Sequence, residues 1–121
     1  MPAMVAIHEN KVVEPLGIFY NQKYNVVILH AITAATHYEW DMAATIGKLA
    51  DDLQAKEIIS LEGVGSGEEG EGGRVFYYSN NDKNAKLFEK AGIDALKEGI
   101  IIGVTGAILL RLEKIPVSCL F

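Results

Sequence analysis

Three sets of residues could do chemistry. The first is Gly65-Ser66-Gly67-Glu68-Glu69-Gly70, which has the glycine spacing of a dinucleotide-binding loop. Such a loop works by aiming backbone amides at a pyrophosphate from a helix N-terminus, and a positive field helps it. Here Glu62, Glu68, Glu69 and Glu71 surround the glycines, and residues 74–79, which follow, read as strand rather than helix. The segment is therefore read as an acidic surface loop. Its acids also lack the regular ligand spacing of a calcium loop. The second set is Gly103-Val104-Thr105-Gly106, ahead of an apolar run. First-turn amides there would point outward and Thr105 could cap or donate, which makes the turn a candidate anion site. No Lys accompanies it as in a P-loop, and a tight turn whose glycines permit close packing accounts for the same residues. The third set is isolated: His8, His30 and His37 have no spacing that puts two on one helical face, and none lies beside a cysteine. Ser66 lies between glycines but lacks the glycines two residues away on both sides that a nucleophile elbow needs, and Cys119, in an apolar strand, reads as an inert buried thiol. No catalytic residue, metal or cofactor is assigned, and the chain is read as a non-enzyme.

These residues must be held by a small frame. Half of the 121 residues are apolar, enough for one core, so a single domain over residues 1–121 is expected. A net charge of -5 with scattered Lys and Arg argues against nucleic-acid binding, which needs clustered cations to displace counterions. A lone cysteine excludes an intrachain disulfide and suits a reducing cytoplasm. No apolar run approaches the roughly 20 residues that span a bilayer, and the first ten residues lack a signal-peptide pattern.

The run Tyr24-Asn25-Val26-Val27-Ile28-Leu29-His30 is apolar and β-branched without alternation, which predicts a strand covered on both faces. Residues 16–20 are expected to pair with it across Asn21-Gln22-Lys23. Thr36 and Glu39 have capping-box spacing, so a helix is expected to start there, with Met42, Ile46, Leu49 and Leu53 as its buried stripe. Residues 57–61 and 74–79 read as strands, Asn80-Asn81-Asp82 as caps of a helix ending at Gly92, and 100–102 as a short apolar segment. A helix over 107–114 must stop before Pro116, and 115–121 is the last strand. Strands alternating with helices predict an α/β fold, a mostly parallel sheet with helices on both faces. In such sheets ligands and partners meet the carboxyl ends of the strands. Thr36, Tyr38, Trp40, Glu62, Glu68, Glu69, Glu71, Thr105 and Gly106 are therefore grouped as one candidate surface for a partner or ligand. Core packing is the other reading of Trp40.

Over the second half the pattern becomes more particular. Ile59-Ser60-Leu61-Glu62-Gly63, a Glu/Gly insert, Arg74-Val75-Phe76-Tyr77 and then Glu98-Gly99-Ile100-Ile101-Ile102-Gly103-Val104-Thr105-Gly106-Ala107-Ile108-Leu109-Leu110 resemble the proteasome-assembly-chaperone family, its archaeal members in particular. The resemblance implies a phosphorylase-like, three-layer α/β architecture, homo-oligomers, and binding to proteasome α-subunits to assist ring assembly. It brings no catalytic residues. The glycine-rich turn of many members is replaced by Ala31-Ile32-Thr33-Ala34-Ala35-Thr36, and the chain stops inside an apolar strand with no closing helix to cover it, which reads as a form lacking the family's C-terminal part. The rival reading is a small-ligand or nucleotide-binding enzyme using the turn at Gly103 to Gly106.

Overall fold

Two hairpins make up the described part of the first of two units, Met1–His37 and Tyr38–Phe121, into which the chain divides. The computed structural model describes residues 5–32, 36–63 and 73–121. Strands β1 (Ala6–His8) and β2 (Lys11–Val13) pair antiparallel. Glu9 and Asn10 between them both have positive φ, at 47° and 61°, the requirement of a tight two-residue hairpin turn. Strands β3 (Leu16–Asn21) and β4 (Val26–Ala31) form the expected second hairpin. Its turn is held by side chains: Tyr24 N–H donates to Asn21 Oδ1 at 3.1 Å, and the Tyr20 hydroxyl donates to Asn25 Oδ1 at 3.0 Å. The expectation that β4 is covered on both faces does not hold, since Val26, Val27 and Ile28 are all exposed. Among the described residues β4 pairs with β3 alone, and a two-stranded hairpin by itself leaves its faces open.

In the second unit, helix α1 (Glu39–Asp52) starts two residues later than the capping box predicts, its N-cap being Tyr38 rather than Thr36. His37 has φ 71°, a left-handed conformation that a right-handed helix cannot contain, so Thr36 is cut off from the first turn and Tyr38 becomes the N-cap without a side-chain bond. Of the expected stripe, Met42, Ile46 and Leu49 are half-buried, with Ile46 packed on the core, but they are not the helix's most buried positions. Ala43 and Ala50 are the buried positions, while Leu53 is exposed. The reason is the neighbour: α1 packs on helix α3 (Val104–Arg111) so closely that a β-carbon at Gly47 would fall 2.6 Å from Leu112 Cδ2. Small side chains win that face because they let the helices approach.

Strand β5 (Ile58–Leu61), β6 (Phe76–Ser79), β7 (Asp94–Ala95) and β8 (Val117–Leu120) form one sheet in the order β5-β8-β6-β7. β5 and β8 run parallel, as do β6 and β7, but β6 and β8 are antiparallel. The fold class is α/β as expected; the expected mostly parallel sheet is corrected to a mixed one. Helix α2 (Asp82–Lys90) is capped by Asn81, whose side chain accepts from Asn84 N–H at 3.1 Å. Asn80, expected as a cap, instead accepts from Val117 N–H at 2.8 Å and so ties the entry of β8 to the end of β6.

The last strand is not the uncovered one. Val117, Ser118 and Cys119 are fully buried between β5 and β6, and with Ala43, Ala107, Ile108 and Phe121 they make the core. Consecutive strand residues point to opposite faces. Ser60, level with Cys119, therefore faces α3, while Tyr77, level with Leu120, stacks on Phe88 of α2 with ring centres 5.2 Å apart. No helix among the described residues is long and apolar enough to cross a membrane.

Candidate functional site

The turn before α3 has a backbone reason for each glycine. Gly103 takes φ 93°, a conformation L side chains rarely adopt, and a β-carbon on Gly106 would lie 2.8 Å from the Ile101 carbonyl oxygen. Ile101 is thereby drawn against the core, while Ile100 and Ile102 on either side of it are 88% and 80% exposed. Thr105, a candidate for the surface by sequence, is 2% exposed. Its hydroxyl lies 2.6 Å from the Ser60 hydroxyl, a bond that locks the first turn of α3 onto β5. A threonine so paired does not face solvent as an anion donor. Glu62 follows β5 at the same end, half-buried, with its N–H donating to the Leu120 carbonyl at 2.9 Å. Thr105→Val is expected to cost about 1–3 kcal/mol by stranding the Ser60 hydroxyl. Adding Ser60→Ala should recover part of that loss in urea denaturation, because the two changes act on one bond.

Tyr38 and Trp40 lie elsewhere, at the start of α1, and both are about half exposed. That decides between the two readings of Trp40 in favour of the surface. Arg111, the last residue of α3, donates from Nη1 to the Trp40 carbonyl at 3.1 Å, and its guanidinium stands 5.9 Å from the Trp40 ring centre. Leu110 beside it is 73% exposed. Thr105 and Gly106 are at the other end of α3, so the structure does not gather all the candidates on one rim. It joins Thr105, Gly106 and Glu62 near the end of β5, and separately joins Trp40 to Arg111. Thr36 is exposed and belongs to the first unit. Glu68, Glu69 and Glu71 lie outside the described residues. Sequence reading missed Arg111, because Arg111 and Trp40 are 71 positions apart and no local pattern links them.

The Cys119 thiol is pushed up to about 11, first by burial and then by the negative charge of Glu62. At neutral pH it is protonated and buried, which makes it a poor nucleophile. In the unfolded chain the thiol ionises near its ordinary value of 9.0, whereas in the fold it holds its proton to about 11. The folded state thus binds more protons within that window, and stability must fall as pH rises from about 9 to about 11. Urea midpoints measured across this range should decline in the wild type more steeply than in Cys119→Ala. Among the described residues no three His, Cys, Asp or Glu side chains cluster as metal ligands. What the geometry offers is a surface of mixed aromatic, aliphatic and cationic character at Trp40, Leu110 and Arg111.

Among curated proteins none matches the chain. Among solved structures it is similar to Pyrococcus furiosus PbaA, an archaeal homolog of proteasome-assembly chaperone, with 25% identity and a TM-score of 0.81 over 98% of this chain and 53% of that one. A Thermoplasma acidophilum protein of unknown function is also 25% identical, with a TM-score of 0.82 over 99% of this chain and 50% of that one. Pyrococcus furiosus PbaB, an archaeal proteasome activator, shares the fold at 16% identity and a TM-score of 0.72, over 99% of this chain and 58% of that one. The chain thus spans about half the length of these structures. The sequence matches the PAC2 family model from residue 1 to residue 121, and on that match the chain belongs to the PAC2 family.

Proposed function

We propose that this protein is a proteasome-assembly chaperone of the archaeal kind, a non-enzymatic homo-oligomeric scaffold of the cytoplasm that binds proteasome α-subunits and assists ring assembly. The observation that carries the reading is the likeness to PbaA over 98% of the chain, at the 25% identity of a relative rather than of a shared fold alone. The architecture that goes with this reading is the family's phosphorylase-like, three-layer arrangement. The chemistry of the surface supports the reading. Trp40 and Arg111 are residue types that dominate protein interfaces, and Leu110, Ile100 and Ile102 leave apolar side chains open beside or beyond them on the same helix or its approach.

The test is affinity capture of the tagged full-length protein from its native cytoplasm, with bound proteins identified by mass spectrometry and the oligomeric state read by light scattering. Proteasome α-subunits and a mass above the monomer are expected. Trp40→Ala should weaken capture by about tenfold or more, the loss of an aromatic anchor worth about 2 kcal/mol. A Glu68/Glu69/Glu71→Ser variant tests the acidic loop in the same assay. A strictly monomeric protein that retains no α-subunit would overturn the proposal, and recovery of the protein alone would leave an orphan scaffold.

A further inference from the structure

No further inference is drawn: the strongest candidate, the exposed side chains of Trp40 and Leu110 beside Arg111 where α1 begins and α3 ends, carries nothing because nothing in the structure shows what covers that patch.

Discussion

Aspartate in place of Val117 is expected to unfold the Tyr38–Phe121 unit. Val117 is 0% exposed in the strand that lies between β5 and β6, level with Ile58 and within the cluster of Ala43, Ala107 and Ile108. No cation is paired there to receive a carboxylate: the two ion pairs among the described residues, Lys48 with Asp52 and Arg74 with Asp94, are both exposed. An unpaired buried carboxylate costs several kcal/mol, and a small domain has only about 5–15 kcal/mol of stability to lose. Far-UV circular dichroism and urea denaturation should show a chain without a cooperative transition. Val117→Ile, which keeps the apolar character and adds one methylene, should cost no more than about 1–3 kcal/mol. A Val117→Asp protein that unfolds at the wild-type midpoint would mean that β8 is not the inner strand.

The second large effect is expected at Gly106. Two terms oppose one another there. A side chain within a helix, here in its first turn, gains at most about 1 kcal/mol over glycine from reduced unfolded-state freedom. Against this, the new β-carbon would meet the Ile101 carbonyl oxygen at 2.8 Å. That oxygen is backbone and cannot swing aside as a flexible side chain would, so either α3 or the 100–102 segment must move. Overpacking of this kind costs about 1–3 kcal/mol, and for Gly106→Val, whose branched side chain also loses helical rotamers, the clash is expected to win by about 2 kcal/mol. The check is a lowered urea midpoint at unchanged slope. Gly63→Ala is the control: no atom of the described residues lies within 4 Å of its would-be β-carbon, so its midpoint should stay near wild type. If Gly106→Val is as stable as wild type, this glycine is not present for packing, and an anion-binding role for the turn regains standing.

Much of the frame was legible because it is local. The β3 to β4 hairpin, β5, β6 and the Asn81 cap of α2 each follow from a few neighbouring residues. What failed depended on distant partners. β7 is a two-residue strand that exists only because β6 lies beside it, and 100–102 is as apolar as a strand yet pairs with no strand among the described residues. The short β1 to β2 hairpin turns on Glu9 and Asn10, which carry no glycine to announce positive φ. Helix α3 begins at Val104, three residues before the expected start, because Thr105 finds Ser60 across 45 positions and anchors the first turn.

The same division runs through the candidate site. Sequence alone placed Tyr38 and Trp40 at the head of a helix and identified the family pattern in residues 59–110, since short-range sterics and motif spacing are written in consecutive residues. It also determined that the chain is acidic, with one thiol in an apolar strand. Only the tertiary structure decided that this strand is the inner one, that α1 buries Ala43 and Ala50 most deeply and brings Gly47 against Leu112, that Thr105 is withdrawn into a buried hydroxyl pair, and that Arg111 stands beside Trp40. The physical reason is that burial and strand order are set by which distant segments meet, and two side chains 45 or 71 positions apart leave no trace of their contact in the local pattern of either.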